Sequence, residues 1–115
     1  MRSFILVCAV LLGFAATVQP AAAAEVRVYV RHEVNDYAAW RKVYNEFNAT
    51  RRKLGVINQA VYRTVDNGND ITVIHDFKSI EQAKAFVASP DLKAAMDKAG
   101  VKGTPQIWFT TRATR

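Results

Sequence analysis

In the run ITVIHDF, residues 71–77, one histidine stands beside an aspartate. An imidazole titrates near neutral pH and can take or return a proton during a reaction, so His75 is the first candidate for chemistry. The adjacent carboxylate looks like its orienting partner. The run is apolar at Ile71, Val73, Ile74 and Phe77, however, and reads as a strand, in which neighbouring side chains point to opposite faces. His75 and Asp76 therefore cannot pair within it. His75 shares a face with Val73 and Phe77. There it either faces a pocket, where it would polarise a phenol or accept its proton, or packs as a hydrogen-bonded core histidine.

The second histidine, His32, ends an alternating run at 26–33 and could lie near His75 if the two strands are neighbours. Two histidines without a third ligand at a recognisable spacing make a weak metal site, so no metal or other cofactor is expected. Tyr29, Arg31, Tyr62, Arg63 and Trp108 add aromatic and cationic groups on the strands. They could line a cavity for a planar anionic ligand, with an arginine stacking on it or pairing with it and Tyr29, His32, Tyr62 and Trp108 as candidate walls; the same aromatics also read as the core of a subunit contact, with the arginines at its rim. The sequence has no glycine-rich phosphate loop, no nucleophile elbow and no Cys-x-x-Cys.

Residues 1–24, MRSFILVCAVLLGFAATVQPAAAA, carry Arg2, an apolar run over 4–18 and small residues before Glu25. This is the layout of a secretory signal peptide, with cleavage expected after Ala24 or Ala23. The single cysteine, Cys8, lies inside it, so the mature chain would have no disulfide, thiolate ligand or cysteine nucleophile. An alanine-rich leader fits a bacterial periplasm. Cleavage would leave 91 of the 115 residues and lower the formal charge from +6 to +5 by removing Arg2. A basic balance can mean nucleic acid, but export argues against that partner and against stable membrane insertion once the leader is gone. Residues 25–115 form one small domain, which would gain stability from association.

The elements that must hold these residues follow from periodicity. Alternation predicts strands at 26–33, 57–65, 71–77 and 106–111. Tyr37, Trp40, Val43 or Tyr44, Phe47, Arg51 and Leu54 recur at three and four residues behind a cap from Asn35 and Asp36, predicting one helix to Leu54, closed by Gly55. In its last turn Arg51, Arg52 and Lys53 complement the helix dipole. Asp66 to Asp70, DNGND, reads as a hairpin loop. Ser79 caps a second helix, which Ser89-Pro90 breaks and Gly100 ends. The order is βαββαβ, an α+β ferredoxin-like arrangement with an antiparallel sheet and both helices on one face.

Both faces of such a sheet would carry bulky apolar groups: Ala60, Tyr62, Ile74 and Trp108 on some positions, Ile57, Val61, Val73, Phe77, Ile107 and Phe109 on the alternate ones. Helices cover only one face. A second copy of the chain, sheet against sheet, is the expected cover.

The element order, the helix opening NDYAAWRKVYNEF, the DNGND hairpin and the later SIEQAKAFVASPDLKAAMDKAGV together resemble the dimeric α+β barrel proteins related to antibiotic-biosynthesis monooxygenases. The resemblance spans residues 26–111. It implies a homodimer and, among such proteins, cofactor-independent oxygenases acting on polyphenolic compounds, haem-degrading enzymes, isomerases and small proteins with no established activity. The asparagine, tryptophan and histidine set of the haem-degrading branch is not matched. Two functions follow as expectations: a monooxygenase acting on a small aromatic or quinol-type compound, with His75 as base and Trp108 and Tyr62 shaping the pocket, or a non-catalytic ligand-binding or stress-related dimer.

Overall fold

The computed structural model describes residues 25–114; the expected leader lies outside the described residues. Strand β1 (Val26–Val34) alternates buried Val26, Val28, Val30, His32 and Val34 with more exposed neighbours. Asp36 then caps α1 (Tyr37–Glu46), its carboxylate accepting from the Ala39 amide at 2.9 Å. Leu54 was the expected end of this helix. The backbone instead relaxes at Phe47 and a second segment, α2 (Asn48–Lys53), follows. Gly55 closes it at φ 103°, the left-handed conformation that favours glycine.

Strands β2 (Asn58–Thr64) and β3 (Asn67–Phe77) form a hairpin tighter than the sequence suggested. Thr64 pairs with Asn67, so only Val65 and Asp66 turn, and most of DNGND is strand. Gly68 meets a side chain from β2. Arg63 folds across it and donates from Nε to its carbonyl at 2.8 Å, and a Cβ there would lie 2.3 Å from the guanidinium.

Helices α3 (Ile80–Val87) and α4 (Pro90–Lys98) start at the serine caps Ser79 and Ser89. Strand β4 (Val101–Thr111) is longer than expected, because VKGTP joins the strand rather than forming a loop. Its pairing with β1 shifts register between Arg31 and Glu33. Pro105 is tolerated there because β4 is an edge strand.

The sheet runs β2-β3-β1-β4 with every neighbouring pair antiparallel, the ferredoxin-like α+β order. It is open, with β2 and β4 as edges. The helices bury one face in two adjoining clusters. Val26, Val28, Val56, Phe77, Ala83 and Phe86 build the first; Val34, Trp40, Tyr44, Ile71 and Val73 build the second. Among the described residues no helix is long and apolar enough to cross a membrane.

The opposite face combines an apolar strip with ion pairs. Tyr29 pairs in register with Ile74 on one side and Trp108 on the other, and the Tyr29 and Trp108 rings stack at 5.2 Å and 3°. On either side of this apolar strip an arginine grips an aspartate: Arg27 with Asp76 at 2.8 and 3.1 Å, Arg31 with Asp70 at 3.1 and 2.7 Å.

Candidate functional site

Strand alternation sends His75 and His32 to the helix-covered face and Tyr29, Tyr62 and Trp108 to the open one. A single pocket made from all five is therefore excluded, because the sheet itself lies between the two sets. Asp76 also goes to the open face, into its pair with Arg27, as the alternation requires. His75 sits opposite Val28 and His32 opposite Ile71, four residues along the ladder. That separation is about 13 Å by strand rise, so the two imidazoles cannot coordinate one metal ion. Among the described residues no group of three His, Cys, Asp or Glu is placed to hold a metal ion.

The helix-covered face places a different partner beside His75. Tyr44, from α1, has its hydroxyl 3.2 Å from His75 Nε2, and their rings lie nearly parallel at 8°. Phe86 meets the imidazole edge-on at 5.2 Å. Trp40 stacks on Tyr44 at 4.8 Å and approaches His32 at 5.8 Å. These contacts follow from helical spacing, since residues 37, 40 and 44 fall on one stripe. The stripe continues through Phe47 to Arg51, whose guanidinium lies 3.7 Å from the centre of the Tyr44 ring, within cation–π range.

Arg51 is 1% exposed. Its Nε donates to Gln59 Oε1 at 2.8 Å, Nη2 to Asn48 Oδ1 at 3.3 Å, and Nη1 to the Tyr44 carbonyl. The sequence placed Arg51 on the inward stripe, yet its neighbours Arg52 and Lys53 invited a surface reading as dipole complement. The helical period was the better guide.

Between the two core clusters remains a cavity of about 40 Å³, with Val30, Trp40, Val73, Phe86, Leu92 and Met96 among its walls and Arg51, Tyr44, His75 and His32 as its polar groups. It has room for a few water molecules. Val43, Phe47 and Ala95 also line an outer groove of about 380 Å³ between α1/α2 and α4. These three side chains separate the cavity from solvent along that seam. Lys98 and Glu46 bridge the same seam at 3.7 Å.

The electrostatics of the cavity follow from burial. His75 is 4% exposed, and burial, aided by the charge of Arg51 and opposed by Asp76, lowers its pKa to about 3. It is a neutral imidazole across the physiological range. Burial also lowers the pKa of His32, against a backbone hydrogen bond and Asp70. The Tyr44 hydroxyl is raised by burial, with Arg51 and Arg41 opposing. His75 and His32 each keep a buried Nδ1 without a hydrogen-bond partner. Such atoms are uncommon and costly in a folded core.

No family model and no curated protein matches the sequence. Solved structures do match. SnoaB, a cofactor-independent oxygenase from Streptomyces nogalater, aligns with a TM-score of 0.66 at 18% identity, covering 81% of this chain and 97% of that one. The shared fold is ferredoxin-like α+β. A protein from Bordetella bronchiseptica, provisionally named an antibiotic biosynthesis monooxygenase, aligns at 0.69 with 12% identity over 79% of this chain and 99% of its own. A Nitrosomonas europaea protein of unknown function aligns at 0.65 with 14% identity, over 82% and 94%. At these identities the likeness is one of fold, and chemistry must be argued from the cavity.

Proposed function

We propose that this protein is an exported, homodimeric oxygenase that acts on a small aromatic, quinol-type compound without a bound cofactor. The observation that carries the proposal is His75 itself: a neutral base in an aromatic cavity, oriented by Tyr44 through one ring nitrogen while the other has no partner. The likeness of fold to a cofactor-independent oxygenase supports it.

In this reading His75 takes a proton from the activated ring position of the substrate, leaving a carbanion or enolate. That electron-rich carbon reduces dioxygen and forms a C–O bond as a peroxide. The peroxide regains a proton and loses water, so that a CH₂ and O₂ become a C=O and H₂O. A neutral histidine suits the first step, and Tyr44 holds it in position. The substrate enters along the seam between α1/α2 and α4, displacing Phe47 and the flexible Met96. Leu92 borders the same space.

The open face belongs to the dimer. Tyr29, Tyr62 and Trp108, first read as ligand walls, become the contact with a second copy, and the paired arginines its rim. Trp108 is 41% exposed and Tyr62 57%, which favours a cover of this kind.

Oxygen uptake over a panel of quinols and polyphenols tests the reading. Wild-type protein is expected to consume oxygen with at least one, and His75→Ala to lose that activity while Tyr44→Phe retains part of it. Uptake that is indifferent to His75 removes the imidazole from the chemistry. The small size of the cavity favours a second reading, a non-catalytic dimer that binds a small ligand; it predicts saturable binding with no oxygen consumption.

A further inference from the structure

The oxygenation step leaves Arg51 unexplained. Taking an ionised group out of water costs several kcal/mol unless its charge is answered, and Arg51 is among the largest fully buried side chains of the molecule. Its three hydrogen bonds all go to neutral acceptors. The salt bridges among the described residues use Arg27, Arg31 and Lys98, not Arg51. A second cation, Arg41, sits 5.4 Å from the Tyr44 ring. The polar end of the cavity is thus positive, and Arg51 meets the faces of Tyr44 and Phe47 and neutral acceptors but no carboxylate.

Hydrogen-bond capacity points the same way. A guanidinium has five N–H donors. Three are engaged here, so two remain on a side chain that lines the cavity. His75 Nδ1, buried and unpartnered, belongs to another residue of the same wall. The remaining walls are apolar or aromatic, so no group of the cavity can return the missing negative charge.

We propose that the occupant of this cavity, once Phe47 and Met96 are displaced, is an aromatic anion, a hydroxyarene carrying a carboxylate, whose charged oxygens pair with Arg51 while its ring lies between Trp40 and Phe86. This rests on the cavity being the ligand site, and it names Arg51 as the residue that selects the ligand. Binding would also act on His75. Neutralising Arg51 removes one of the two influences that oppose protonation of the imidazole, so the base becomes better able to hold a proton once the anion is in place.

Calorimetric titration of the full chain with 1-hydroxy-2-naphthoate and with its neutral methyl ester tests the inference. Wild-type protein is expected to prefer the acid by about tenfold or more, the range of a charge-assisted hydrogen bond. Arg51→Gln should bring the two ligands within about twofold of each other by weakening the acid and leaving the ester unchanged, and Arg51→Lys should keep part of the preference. Equal affinities in the wild type, binding of neither ligand at millimolar concentration, or a preference that survives Arg51→Gln overturns it. Should Arg51→Gln lose its fold by circular dichroism, the Arg51 Nε resonance of the wild type decides: it shifts with the acid and not the ester, and indifference to the acid overturns the inference. Acid-selective binding without oxygen uptake would remove the oxygenase reading and leave this one standing.

Discussion

Strands β1 and β3 present two faces made from alternate residues of the same segments, and the faces treat polar groups in opposite ways. On the open face each arginine meets an aspartate in a two-pronged pair, Arg27 with Asp76 and Arg31 with Asp70. On the helix-covered face His75, His32 and, from α2, Arg51 are buried with no acidic partner. Water and carboxylates already satisfy the first set. The second carries uncompensated charge and unpartnered nitrogens next to a cavity. Unpartnered polar groups in a buried place point to a candidate site, and they separate the face proposed to bind from the face proposed to associate.

The sharpest way to break this contrast is to truncate one residue on each face of β3. Phe77→Ala, at a fully buried position, is expected to cost about 3–5 kcal/mol in urea unfolding. Ile74→Ala, half-buried on the open face, should cost about 1–2 kcal/mol, and more only at concentrations where a second copy covers it. Equal losses in dilute protein would erase the distinction.

Acid separates the faces next. The folded pKa of His75 is depressed to about 3, below the 6.5 of an unfolded histidine. The unfolded chain therefore binds more protons between those values, and stability falls as pH drops from 6.5 toward 3. The slope is at most about 1.4 kcal/mol per pH unit for one proton. Unfolding midpoints at pH 7 and pH 4.5 measure it, and His75→Gln should flatten the difference.

Charge placed in the open face tests association. Trp108→Asp is expected to shift sedimentation at micromolar concentration from dimer to monomer while circular dichroism stays unchanged. A wild-type monomer would contradict the proposed cover.

The smallest effect belongs to the paired aspartates. The Arg31 hydrogen bond holds Asp70 below the usual carboxylate range, so its contribution is present above the unfolded pKa and is lost as pH falls through the folded one. Asp70→Asn should remove only acid sensitivity below about pH 4, leaving the higher window of His75 intact.

Much of the scaffold was legible because it depends on local rules. Alternation in VRVYVRHE and ITVIHDF assigned both faces and separated His75 from Asp76. The caps Asp36 and Ser79, Pro90 at the first helical position and the closing Gly55 and Gly100 stand where the sequence put them. Lengths were less legible. Pairing with β1 draws VKGTP into β4, and pairing with β2 draws most of DNGND into β3, overriding the turn preferences of glycine and asparagine. The site was legible in part. Tyr44 and Arg51 were on the predicted inward stripe, but nothing local connects a helix to a strand 31 residues away.

The sequence by itself determined which side chains share a face, because the periods of strands and helices are fixed by backbone geometry. It also supplied the candidate base His75, the aromatic residues and the arginine. Only the tertiary structure decided that Arg51 enters the core without a carboxylate, that Tyr44 meets His75, and that the open-face arginines find aspartates. Those outcomes depend on which elements stand beside one another and on how much water remains between them. Position in the sequence does not record solvent exclusion, and in this protein it leaves one arginine half-exposed beside an aspartate and buries another without one.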